Sequence, residues 1–70
     1  MTIFPDINTK IWANIVKPGM IIRTPDNTRI EVERITEGYS TWTFDNGWGR
    51  TATCDYGDRV ELLGYFNPEN

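Results

Sequence analysis

The 70-residue chain contains no histidine and only one cysteine, Cys54. The lack of histidine removes the commonest general base near neutral pH, together with the Ser-His and Cys-His nucleophile pairs. One cysteine cannot close an intramolecular disulfide, and without histidine it cannot assemble a zinc site. No apolar run approaches the roughly 18 residues of a membrane span, and no basic region precedes an apolar core at the N-terminus. Glycine-rich phosphate loops are missing, since Gly47-Trp48-Gly49 has no helix after it. Basic residues are the minority, seven against ten acidic, for a net charge of −3. That balance argues against nonspecific binding to nucleic acid or to an anionic membrane. The expectation is a cytoplasmic protein without enzymatic activity, cofactor or metal. Met1 is expected to be the initiator of a complete gene product, and its 70 residues one small domain near the lower limit for a single unstapled core.

The main positive signal is the stretch from Tyr39 to Cys54, which alternates large apolar and small polar residues on both sides of Asp45-Asn46-Gly47. Alternation around a turn that supplies a positive-φ glycine predicts a β-hairpin. A two-residue turn at Asn46-Gly47 would expose large aromatics on either face. A three-residue loop, with Gly47 in a left-handed bulge, places Phe44 opposite Trp48 and Trp42 opposite Arg50. Trp42, Phe44, Trp48, Ala52 and Cys54 then share an apolar face, and Thr41, Thr43, Thr51 and Thr53 form the solvated one.

Around the hairpin, Ile7, Ile11 and Ile15 recur at helical spacing. With Asp6 as N-cap and Lys17-Pro18-Gly19 as a stop, they predict a short helix over residues 6–16. A strand from Ile11 to Val16 is the competing reading, because β-branched residues dominate there. Residues 19–64 read as five strands with turns at Pro25-Asp26-Asn27, Glu37-Gly38 and Asp55 to Asp58, and residues 65–70 as a tail. Ile35 is out of phase with Ile30 and Val32, which predicts a bulge or sharp bend near Glu33-Arg34. The fold class expected is mainly β, a small five-stranded antiparallel barrel or bent sheet with a short N-terminal helix.

Val16-Lys-Pro-Gly-Met20 leading into a strand, the Pro25 to Asn27 turn, the hairpin, and Tyr56-Gly-Asp-Arg-Val60 before the last strand resemble the pattern of an SH3-like barrel over residues 16 to 63. The proline-recognition motif of signalling SH3 domains is absent, so peptide binding of that kind is not implied. In size, acidity and tryptophan content the chain also looks like small bacteriophage proteins. That second resemblance implies the host cytoplasm as setting and a host protein as target, the latter inhibited by carboxylates presented as a nucleic-acid mimic.

Three site readings compete. Cys54 on the apolar face reads as a buried inert thiol, and Asp55 with Asp58 as turn formers in place of a hydrolytic pair. No stretch has the spacing of an EF-hand calcium loop. Nine aromatics, 13% of the chain, exceed what so small a core can surround. Exposed aromatics mark interaction hot spots. The leading expectation is a protein-binding module with an aromatic patch of Tyr39, Tyr56, Tyr65 and Phe66 rimmed by Glu31, Glu33, Asp55, Asp58 and Glu61, Trp12 being a further exposed candidate. Replacing Tyr56 and Phe66 by serine is expected to abolish capture and leave the fold intact. The runner-up is a single-stranded nucleic-acid binder using Arg34, Arg50 and Arg59 beside Tyr39 or Tyr56. There, Arg50 covering Trp42 is the competing structural role. A self-assembling accessory protein is the third possibility.

Overall fold

The computed structural model describes residues 7–66. Over that span the chain is mainly β, with strands β1 (Thr9–Trp12), β2 (Met20–Arg23), β3 (Arg29–Glu31), β4 (Arg34–Glu37), β5 (Thr41–Asp45), β6 (Thr51–Asp55) and β7 (Arg59–Tyr65). They form two antiparallel sheets: sheet A in the order β1-β7-β2-β3 and sheet B in the order β4-β5-β6. The expected five strands become seven, and no closed barrel forms among the described residues.

The short N-terminal helix is not found. Asp6, its expected cap, lies outside the described residues; the rest of the segment is β1 followed by a single 3₁₀ turn, Ala13–Ile15. Burial explains the outcome. Ile11 is buried, but Ile7 and Ile15 are 50% and 40% exposed, so the four-residue stripe does not define one face. Ile11 and Ala13, two residues apart, point inward instead. The β-branched segment pairs with β7, Ile11 opposite Val60 and Trp12 opposite Arg59. A ladder supplied by a neighbouring strand outweighs a short helix that would bear the full nucleation cost.

The predicted bend near Glu33-Arg34 is where the chain changes sheets. The Val32 N–H donates to the Met20 carbonyl at 2.8 Å, in sheet A, and the next N–H, Glu33, donates to the Asp45 carbonyl at 2.8 Å, in sheet B. Such corners let one chain serve two packed sheets. Ile30 and Val32 are buried before the corner, and Ile35 packs on the same core after it. The phase slip in the sequence is this corner.

The hairpin register differs from the expected one. Phe44 pairs with Ala52 and Trp42 with Cys54, leaving a five-residue loop, residues 46–50, closed by the Asn46 N–H on the Arg50 carbonyl at 3.1 Å. Each strand partner moves by an even number of residues, so the faces survive. Phe44, Ala52 and Cys54 are buried, Trp42 packs against them, and the Thr43 and Thr53 hydroxyls meet at 3.4 Å on the other face. Trp48 leaves the strand for the loop. Between the sheets, Phe44, Ile22, Ile30, Leu62, Val32 and Val60 are fully buried. Each contributes about 1.5–3 kcal/mol relative to exposure. The expected tail begins late, since β7 runs through Tyr65 and the Phe66 N–H donates to the Gly19 carbonyl at 2.7 Å.

Candidate functional site

The β5–β6 loop, Asn46-Gly-Trp-Gly-Arg50, is built by its own polar groups. Asp45 Oδ1 accepts the Gly47 N–H at 2.6 Å, while Asn46 Oδ1 accepts those of Trp48 at 2.8 Å and Arg50 at 3.0 Å. Gly47 and Gly49 take φ of 80° and 93°, a region that strains other residues. A Cβ on Gly47 would fall 2.5 Å from Glu33 Oε1, so Glu33 stands directly beside the loop. Trp48, between the two glycines, is 88% exposed. Alternation alone places this residue on the apolar face, and the structure places it in the loop instead. The overlooked signal is the second glycine, which with Asn46 makes a wide loop cheaper than a tight one.

The opposite end of sheet B carries the other predicted aromatics of that sheet. Tyr39 is fully exposed in the β4–β5 turn, which the Gly38 N–H closes on the Thr41 carbonyl at 2.8 Å. Tyr56, in the β6–β7 turn, packs its ring 5.0 Å from that of Trp42, and its hydroxyl lies within donating reach of the Gly38 carbonyl and Glu37 Oε2. Partial burial, then the hydrogen bond to Glu37 and that carboxylate's charge, raise the phenol's pKa. Asp58 Oδ2 accepts the Asp55 N–H at 2.9 Å, and the Asp58 N–H donates to the Asp55 carbonyl at 3.0 Å. Both residues thus build the turn.

The proposed patch is therefore not one surface. Tyr39, Tyr56, Asp55 and Asp58 gather where Thr41 faces Asp55, and Glu33 lies at the other end of sheet B, where Asp45 faces Thr51. Tyr65, opposite Met20, ends β7 six residues beyond Arg59 and so about 20 Å along the strand from the Asp58 turn, and Phe66 follows it. Glu31 is on β3, 3.8 Å from Arg29, and Glu61 is paired with Arg23 at 3.1 Å.

The three arginines of the nucleic-acid alternative also separate. Arg34 pairs with Asp45 and Arg50 closes the loop, at one end of sheet B, while Arg59 lies 4.3 Å over the Trp12 ring on sheet A. Arg50 does not face Trp42, whose strand partner is Cys54 and whose ring partner is Tyr56. The Trp42 Nε1–H is buried without an acceptor. Cys54 is buried, and burial, followed by the charges of Asp58, Asp55 and Asp26, pushes its thiol up to about 11. A thiol so protonated is a poor nucleophile near neutrality.

Among the described residues no helix is long and apolar enough to cross a membrane, and no group of three or more Cys, Asp or Glu side chains is placed to hold a metal ion. No protein-family model, curated protein or solved structure matches the chain.

Proposed function

We propose that the chain is a protein-binding module that displays aromatic side chains on the loops of sheet B, with Trp48 as its principal anchor. The observation that carries this reading is an indole 88% exposed on a loop fixed by three side-chain-to-backbone hydrogen bonds. Tryptophan is enriched at interface hot spots, and a pre-ordered loop loses little entropy when a partner closes on it. Glu33 and Asp45 beside the loop supply an acidic rim. Tyr39, with Asp55 and Asp58 nearby, forms a second and separate contact point.

Under this reading the SH3-like pattern describes a division of labour in which short strands form the scaffold and loops recognise. A host protein is the partner that the bacteriophage resemblance implies. Single-stranded nucleic acid has less support, because Arg34 lies on sheet B and Arg50 on its β5–β6 loop, whereas Arg59 lies on sheet A. The test is capture by immobilised protein, comparing wild type, Trp48→Ser and the solvent-face control Thr53→Ser. A partner retained by wild type and control and lost with Trp48→Ser is the expected result. Retention at full strength by Trp48→Ser would remove Trp48 from the interface.

A further inference from the structure

The outer face of sheet A carries a separate feature that no aromatic loop uses. Lys10 on β1, Glu61 on β7 and Arg23 on β2 lie side by side, because Lys10 pairs with Glu61 and Glu61 with Arg23. Arg59 is two residues before Glu61 and therefore on the same face. These four side chains border a depression of about 310 Å³ walled by the β2–β3 turn, through Thr24, Pro25 and Asn27. That volume lies at the small end of ligand pockets, about 300–1,000 Å³.

The charge count is unusual for this chain. The protein as a whole is at −3, yet three cations and one carboxylate, Glu61, line the depression, with the Asp26 carboxylate held in the adjoining turn by Thr24 and Thr28. Glu61 is engaged by Arg23 at 3.1 Å. Lys10 and Arg59 have no ion-pair partner among the described residues. Arg59 is held over the Trp12 ring at 4.3 Å, which fixes the guanidinium through its face and leaves its in-plane N–H donors available. Two uncompensated cations, one a fork and one a point charge, match a group of about −1.5 to −2 with several acceptor oxygens.

We propose that this depression binds a small phosphate monoester, with Arg59 and Lys10 on the phosphate and the polar remainder of the ligand against the Thr24–Asn27 wall. The wall is already shaped for that use. The Thr24 N–H donates to the Thr28 carbonyl at 2.9 Å, the Thr24 hydroxyl donates to Asp26 Oδ1, and Asn27 takes a left-handed φ of 73°. The turn is thus fixed before any ligand arrives, with Asn27 among the residues that line the depression. The site shares none of these residues with the Trp48 loop, so it stands whether or not the protein-binding reading holds.

Heteronuclear NMR titration at low salt tests it, with inorganic phosphate, ribose 5-phosphate, adenosine monophosphate and oligothymidylate as probes. The expected result is saturable shifts of the Lys10, Arg23 to Asn27 and Arg59 to Glu61 amides with one or both monoesters, which also tells a sugar phosphate from a nucleotide. Arg59→Gln and Lys10→Gln should each weaken binding on the order of tenfold. The double variant Arg34→Gln/Arg50→Gln should change nothing. Three results would overturn the proposal: no saturation by either monoester at millimolar concentration, equal loss in the double variant, or inorganic phosphate binding as tightly as both monoesters. An oligothymidylate affinity that exceeds the monoesters' and grows with length would replace it with strand binding. Lys10 and Arg59 are both exposed, and the same spectra verify that each variant is folded.

Discussion

Tyr56 closes over Trp42, ring centroids 5.0 Å apart and planes tilted by 38°, while its hydroxyl reaches back to Gly38 and Glu37. One side chain from the β6–β7 turn thereby joins β5 to the β4–β5 turn. This makes Tyr56 a fastener of sheet B as well as the partly exposed aromatic expected from composition.

Removing the fastener should therefore cost stability. Tyr56→Phe keeps the ring contact and loses the hydroxyl bonds, and should lower Tm on the order of 5 °C. Tyr56→Ser loses both and should lower it further, whereas Tyr39→Ser, fully exposed, should leave Tm unchanged. Thermal unfolding followed by circular dichroism separates the three. Equal Tm for wild type and Tyr56→Ser would show that the clamp contributes nothing.

The β5–β6 loop gives a glycine comparison. Gly47→Ala forces a side chain into φ of 80° and drives its Cβ against Glu33, which should cost about 1–2 kcal/mol. Gly57→Ala meets nothing within 4 Å and should stay within about 0.5 kcal/mol of wild type. Urea unfolding midpoints at fixed m-value report both. A neutral Gly47→Ala would mean that the loop has an alternative conformation of similar energy.

Alkaline pH should destabilise the protein through Cys54. The folded state holds the thiol proton up to about pH 11, against a usual value of 9.0, so between these values it binds more protons than the unfolded chain. Stability is then full below about pH 9 and falls by about 2–3 kcal/mol as pH rises through 11. Cys54→Ala should be less stable at neutral pH but flatter across that window. Tyr56, whose pKa is also raised, should leave it a residual slope above pH 10. A Cys54→Ala profile as steep as wild type would place the loss elsewhere.

Acid acts in the other direction at Asp26. Hydrogen bonds from Thr24 and Thr28 hold its carboxyl below 3.8, so the folded state favours the carboxylate. The stability this gives is present above pH 3.8 and is lost as pH falls through the lowered value. Asp26→Asn should therefore lose less stability than wild type between about pH 6 and pH 2.5, read from urea midpoints.

The strands of the hairpin, their faces and the turn at Pro25 to Asn27 were legible because alternation and turn chemistry are local signals. The corner was legible as well, through Ile35 standing out of phase with Val32. What could not be read was competition. Ile7, Ile11 and Ile15 have helical spacing, and only the presence of β7 alongside decides that a strand wins. The loop register is hidden for a related reason, since every even shift preserves the faces, and the choice falls to the N–H groups of Trp48 and Arg50 donating to Asn46 Oδ1, which alternation does not encode. Of the site residues, none of Lys10, Trp12, Arg23 and Arg59 is close to all the others in sequence, so their meeting depends on β1 and β2 both pairing with the last strand.

That pairing sets an order of assembly on the ribosome. Sheet B is a meander complete by Asp55, built from neighbouring hairpins with local contacts. Sheet A has its final strand in the middle, between β1 and β2, so β1 has no partner until β7 has emerged. Until then Ile11 and one edge of β2 wait without cover, and the nascent chain depends on speed or on a chaperone to avoid pairing with a stranger. A chain ending at Asp58 would thus keep the strands of sheet B and the β2–β3 pair but leave β1 without the strand it pairs with.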